Sequence, residues 1–268
     1  EYTIRAHSAS SRAIGLRWIL VMDCEVVMAL QRQDVPHQYS HRRKIGKTLA
    51  MRINLPSGTP AEIDTTVASP TMGLVIAPDI FSLRPLFADM VTRLAQEWNM
   101  AVCAVEPFPN HSLGAEIEPR MKAVASLNDA SHLRDLHEAA DALGTPRIGL
   151  MGFCMGGMYC FKSSVSERFA RIVSFYGMIQ VPPNWQSSTQ GEPLEYLNRA
   201  DATKVLAIIG TNDPYTPAAD VTALRATGCN VVEYAAEHGF AHDASRPSHR
   251  KEDAADAFSR TRAWLVGE

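Results

Sequence analysis

Residues 147–159 read Arg147-Ile148-Gly149-Leu150-Met151-Gly152-Phe153-Cys154-Met155-Gly156-Gly157-Met158-Tyr159. An apolar run of strand type leads into Gly152-Phe153-Cys154-Met155-Gly156, and a helical pattern follows. A G-x-C-x-G stretch between strand and helix is the sharp turn that presents a nucleophile at the end of a sheet. The flanking glycines have a steric purpose: a side chain at 152 or 156 would collide with the neighbouring strand or helix, and the turn itself is strained. The helix that begins after Cys154 directs its N-terminal dipole at the sulfur, which favours thiolate over thiol. Cys154 is therefore expected to attack a carbonyl. The alternative, a buried cysteine acting as a small hydrophobe, leaves the two glycines and the preceding strand unexplained.

Outward from this turn, short β-type runs at 51–55, 62–67, 73–77, 101–105, 147–151, 171–175, 204–209 and 230–234 alternate with helical patterns. Several of the runs are almost continuously apolar, as strands covered on both faces must be. Leu83, Phe87, Met90, Leu94 and Trp98 fall on a 3.6-residue period. Leu133, Leu136, Ala140 and Leu143 do the same between an Asn128-Asp129 start signal and a Gly144 stop. A last helix over about 252–266 would dock through Phe258, Trp264 and Leu265, and residues 181–193, rich in turn formers, read as a loop. Together these predict an α/β fold with a mostly parallel central sheet and helices on both faces.

At 268 residues, with 46% apolar and 21% charged, the chain can bury the core of one α/β domain and carry an appendage. A net charge of −3 gives no electrostatic reason to expect a nucleic acid or an anionic membrane as partner. The five cysteines are scattered and contain no C-x-x-C pair, which argues against a disulfide framework and a structural zinc site and for a reducing, cytoplasmic compartment. The apolar stretch 18–30 is interrupted by Asp23 and Glu25, short of the roughly 18 residues a membrane span needs, so neither a span nor a secretory signal is expected.

The first fifty residues carry eight Lys/Arg against four acids, whereas the remainder has a net charge of −7. Residues 1–48 are expected to be a poorly ordered extension ahead of a domain at 49–268; a transit segment or a docking helix around 18–30 is the alternative. Monomer and homodimer both stay open.

The turn around Cys154 predicts an acid and then a histidine later in the chain. Asp213 follows the run 204–209 in Gly210-Thr211-Asn212-Asp213-Pro214, where residues at a strand end face a site. After the run 230–234 comes His238-Gly239-Phe240-Ala241-His242. Gly239 lets the backbone turn close to the site, so His238 is taken as the base, and His242 as a residue that faces substrate or stands behind the first three. His111, His132, His137 and His249 have no partner motif and read as surface or structural.

With these motifs in hand, the sequence resembles the dienelactone hydrolase family of the α/β-hydrolase fold. The resemblance rests on Gly152-Phe153-Cys154-Met155-Gly156-Gly157, Val75-Ile76-Ala77-Pro78-Asp79-Ile80-Phe81, Phe175-Tyr176-Gly177, Asn212-Asp213-Pro214 and His238-Gly239-Phe240-Ala241, spread from about residue 50 to 266. It implies a Cys154–Asp213–His238 triad and an oxyanion hole made by the backbone N–H groups of Ile80 and Met155. It also implies that Asp79, where the family carries Glu, contacts the nucleophile. His242 stands where the family has a carboxylate-binding arginine, so Arg84 or Arg246 would have to supply that charge if an acid substrate is recognised. Phe108 and Tyr176 are candidates to line the pocket.

The activity implied is cofactor-free and metal-free hydrolysis of a small carboxylic ester or lactone through a thioester. A cysteine-dependent amidase or thioesterase, or a non-catalytic thiol protein for redox or ligand binding on the same scaffold, are the alternatives. The leaving group favours esters, because a thiolate is readily expelled again unless the other group departs easily.

Overall fold

Eight short strands form one sheet in a computed structural model that describes residues 50–268. They are β1 (Met51–Asn54), β2 (Pro60–Asp64), β3 (Gly73–Ala77), β4 (Ala101–Val105), β5 (Ile148–Phe153), β6 (Arg171–Phe175), β7 (Val205–Gly210) and β8 (Asn230–Tyr234). Their spatial order is β1-β2-β4-β3-β5-β6-β7-β8. The β1–β2 and β2–β4 pairs are antiparallel and every other pair is parallel. The expected α/β architecture is the one observed. The expectations for 1–48, including a helix at 18–30, lie outside the described residues.

The helices are α1 (Pro85–Trp98), α2 (Ile117–Val124), α3 (Asp129–Ala142), α4 (Met155–Lys162), α5 (Pro193–Asn198), α6 (Ala218–Ala226) and α7 (Lys251–Val266). Pro85 at the first position costs α1 nothing, since that N–H has no intrahelical partner, and Asn99 ends the helix in the left-handed region. Asn128 caps α3 by accepting the Ser131 N–H at 3.1 Å, which satisfies a donor the helix start leaves unpaired. Gly267, at φ 85°, closes α7.

Side chains alternate across β3: Leu74 and Ile76 join a core with Phe87 and Leu94 of α1 and Leu265 of α7, while Val75 and Ala77 join one with Leu136 of α3 and Met158 of α4. Burying each large side chain fully, as with Phe87, contributes about 1.5–3 kcal/mol. Both faces of the sheet are thereby covered, which is why β3 reads GLVIA without a polar residue.

Several boundaries differ from the sequence reading, three of them with a visible cause or consequence. The second strand runs 60–64 rather than 62–67, because Asp64 Oδ1 accepts the N–H and hydroxyl of Thr66 and turns the chain away. The fifth reaches Phe153, paired with Phe175, so the strand ends directly at Cys154. The helix α5 begins at the proline that closes the 181–193 stretch, which read as loop from its turn formers.

Chain order places the site. After β3 the chain adds β4 on one side and then returns to set β5 on the other, so the connections leave a crevice at the carboxyl ends of β3 and β5. Open parallel sheets bind ligands at such a switch point.

Candidate active site

Cys154 sits at φ 56° and ψ −118° between β5 and α4, a conformation that side chains rarely adopt and that the surroundings must enforce. Its N–H donates to Phe175 O at 3.0 Å and its carbonyl accepts the Met158 N–H at 3.0 Å. A Cβ on Gly156 would lie 2.0 Å from Ala77 O and 2.4 Å from Pro78 O, and one on Gly152 would lie 2.3 Å from Gly156 O. The glycines therefore let the turn press against the end of β3, as their spacing predicts.

Asp213 and His238 come from the ends of β7 and β8, and the backbone holds their two loops together. Thr211 N–H donates to Tyr234 O at 2.8 Å and Asn212 N–H to Ala236 O at 3.0 Å. His238 Nδ1 lies 2.7 Å from Asp213 Oδ2, and Asp213 Oδ1 accepts the Tyr215 N–H at 2.9 Å. The imidazole stands between the rings of Tyr176 and Tyr215, centroids 5.2 and 4.9 Å away. Burial pulls its pKa down, but Asp213 and the adjacent Cys154 outweigh burial and push it up to about 10. The His238 side chain keeps 17% of its surface open, enough for a small molecule or water to reach it.

Asp79, expected to contact the nucleophile, hydrogen-bonds to Phe81, Arg84 and His242. Its Oδ1 accepts the Phe81 N–H at 2.9 Å and Arg84 at 2.7 Å, and its Oδ2 accepts Arg84 at 3.0 Å and His242 Nε2 at 2.7 Å. Burial would raise its pKa, but the hydrogen bond from His242 and the hydrogen bonds and charge of Arg84 hold it well below the usual carboxylate range.

His242 is buried and stacks on Phe153 at 4.7 Å between centroids. Its pKa is lowered, burial together with Arg246 and Arg84 outweighing Asp79, so the ring is neutral at pH 7. An ionised carboxylate only accepts, so Nε2 carries the proton and Nδ1 accepts from the Tyr176 hydroxyl, with which it makes a short contact. Tyr176 itself sits at φ 39° at the end of β6. This chain of three groups went unread in the sequence, because 163 positions separate Asp79 from His242. The four-residue spacing from His238 to His242 was the one available signal.

Ile80 and Met155, the expected oxyanion donors, are both buried, and among the described residues no acceptor takes either N–H. Met155 opens α4, where the first N–H groups have no intrahelical partner. Arg120 donates to Ile80 O at 2.9 Å and to Ser82 Oγ at 2.9 Å, tying down the Ile80 loop. Phe108 is 2% exposed and belongs to the apolar core. Arg84 forks Asp79 and reaches Asp243 at 3.4 Å, while Arg246 stands 3.9 Å from Asp79 and 3.8 Å from Asp243. Both candidate cations for an acid substrate thus already face two carboxylates.

Comparison with known proteins decides the family: the model of the dienelactone hydrolase family matches residues 61–267. The chain belongs to the dienelactone hydrolase family. Its domain has the α/β-hydrolase fold, and it is a hydrolase of carboxylic ester or lactone bonds. Carboxymethylenebutenolidase 2 of Cupriavidus pinatubonensis is 25% identical over 202 residues, covering 72% of this chain and 82% of that protein. A Synechocystis protein assigned as a carboxymethylenebutenolidase is 27% identical over 215 residues, 73% of this chain and 85% of the relative. A solved Klebsiella pneumoniae structure, assigned as a dienelactone hydrolase, superposes with a TM-score of 0.72 at 25% identity, covering 83% of this chain and all of that one. Among the described residues no helix is long and apolar enough to cross a membrane.

Proposed function

We propose that the protein hydrolyses small carboxylic esters or lactones, enol lactones included, with Cys154 as nucleophile, His238 as base and Asp213 as its orienting acid. The observation that carries this reading is the 2.7 Å contact between His238 Nδ1 and Asp213 Oδ2, made beside a cysteine held at φ 56° by residues scattered over 85 positions of sequence.

The chemistry follows from those positions. Asp213 accepts a hydrogen bond from Nδ1–H and leaves Nε2 free to take the Cys154 proton and generate the thiolate. The thiolate attacks the carbonyl carbon, and the carbonyl electron pair moves onto oxygen, where the N–H groups of Ile80 and Met155 receive it. Collapse breaks the bond to the ester oxygen, which takes the proton from His238 and departs; in a lactone it stays tethered as an alcohol. His238, neutral again, removes a proton from water, hydroxide attacks the thioester, and the second collapse expels the thiolate and releases the acid.

Hydrolysis of short aryl esters and enol lactones by wild type and Cys154→Ala is the test. Turnover should be lost in the variant; equal rates in the two proteins reject Cys154 as the nucleophile.

A further inference from the structure

We infer that His242 is a positioning residue that braces the oxyanion loop against the nucleophile turn, linking Asp79 on one side to Tyr176 on the other; this rests on the proposed reading of the site. Both arms of the brace end in backbone that the reaction uses.

On the first arm, His242 Nε2 donates to Asp79 Oδ2 at 2.7 Å. Asp79 Oδ1 accepts the N–H of Phe81 at 2.9 Å and its carbonyl accepts that of Ser82 at 3.1 Å. Ile80 lies between these anchors, so the direction of its N–H follows the position of the carboxylate. On the second arm, the Tyr176 hydroxyl donates to His242 Nδ1. Tyr176 is held at φ 39°, and its neighbour Phe175 provides the carbonyl that accepts the Cys154 N–H at 3.0 Å.

Backbone strain of this kind persists only where other contacts over-determine it. The strained Cys154 donates its N–H to the carbonyl of Phe175, the residue that precedes the strained Tyr176. The Tyr176 hydroxyl is the polar tether that keeps the latter in place. The neutral ring suits the task because one nitrogen donates and the other accepts. Stacking on Phe153, the residue before the nucleophile, adds a third attachment to the same turn. None of these groups needs to touch substrate; their effect is exerted through the direction of the Ile80 and Met155 N–H groups, which the loop and the turn carry.

The test uses the full chain with para-nitrophenyl acetate as substrate and iodoacetamide as thiol probe. In Tyr176→Phe and in His242→Ala, kcat is expected to fall about 10–10²-fold, the scale of a misplaced reacting geometry, while KM stays nearly unchanged. The double variant should be no slower than the slower single, since members of one network are not additive, and His242→Gln, which can donate and accept, should recover part of the loss. Alkylation of Cys154 needs thiolate and imidazole but no oxyanion hole, so its rate should be preserved in all of them.

Losses that multiply in the double variant, or alkylation that falls in step with kcat, overturn the brace. Should His242→Ala fail to fold, Tyr176→Phe and His242→Gln decide by the same criteria. Should the wild type hydrolyse no ester, the proposed function fails by itself. The brace is then judged by amide hydrogen exchange in segments 77–83 and 152–157. Faster exchange in both segments of Tyr176→Phe supports it, and unchanged exchange overturns it.

Discussion

The Nδ1 atom of His238 lies 2.7 Å from Oδ2 of Asp213, a carboxylate whose side chain has no surface open to solvent. In the proposed triad this pair fixes the imidazole tautomer, with Nδ1 held by Asp213 and Nε2 left for the sulfur. Asp213→Asn keeps the shape but removes the charge and offers an N–H where an acceptor is needed. A fall in kcat/KM of about 10³–10⁴-fold is expected, on the scale of the equivalent change in serine triads, with the thermal midpoint little altered. Steady-state ester hydrolysis alongside a melting curve checks both halves.

The raised pKa of His238 has a consequence for stability. Because the folded value, about 10, exceeds the unfolded one of about 6.5, the native state holds a proton that the unfolded chain has lost between those limits. The contribution is fully present below about pH 6.5 and disappears as pH rises through about 10. Urea midpoints measured from pH 6 to 10 should therefore decline in the wild type and decline less steeply in His238→Gln.

Asp79 has the opposite sign. Its folded pKa lies well below the unfolded value, so its contribution is present above about pH 3.9 and is lost as pH falls towards the folded value. Acid unfolding followed by circular dichroism below about pH 4 should be steeper in wild type than in Asp79→Asn, which starts from a lower stability at pH 7.

Gly156 offers a steric test. An added Cβ would stand 2.0 Å from Ala77 O and 2.4 Å from Pro78 O, backbone atoms that cannot swing aside. Gly156→Ala should push the nucleophile turn away from the end of β3, destabilising by about 1–3 kcal/mol or more and removing esterase activity. Denaturant unfolding and a thiol-alkylation rate measure the two effects separately.

Lys162, with no exposed surface, pairs with Asp129 Oδ1 at 2.9 Å, and Oδ2 of the same carboxylate accepts the Gly191 N–H at 2.8 Å and the Tyr196 hydroxyl at 3.2 Å. Asp129 thereby pins the end of the 181–193 loop and α5 to the body of the domain. Asp129→Ala leaves a buried ammonium and two donors unpaired, so a loss of about 3–5 kcal/mol is expected. Hydrogen exchange of residues 185–198 should rise before that of β5, showing where the opening begins.

Much of this was legible along the chain. The continuous apolar run 73–77 reads as a strand covered on both faces, and the 3.6-residue period of Phe87, Met90, Leu94 and Trp98 as a docked helix, and both are observed; both patterns arise from local backbone geometry. The strand that reads 62–67 came out as 60–64 because a side-chain turn at Asp64 competes with the ladder, a contest that propensity does not record. Asp79 shows a different limit: the motif located it in the loop after β3 but did not reveal its partner His242, 163 positions away.

By itself the sequence determined the fold class, the strained turn at Cys154 and the chain order of acid and histidine, since each depends on residues that are neighbours in the chain. Only the tertiary structure decided that Asp213 meets His238, that Asp79 meets His242, and that Tyr176 completes a chain of hydrogen bonds beneath the nucleophile. Those contacts join the ends of different strands, and their distances depend on how the sheet twists and packs, which no local pattern of residue types encodes.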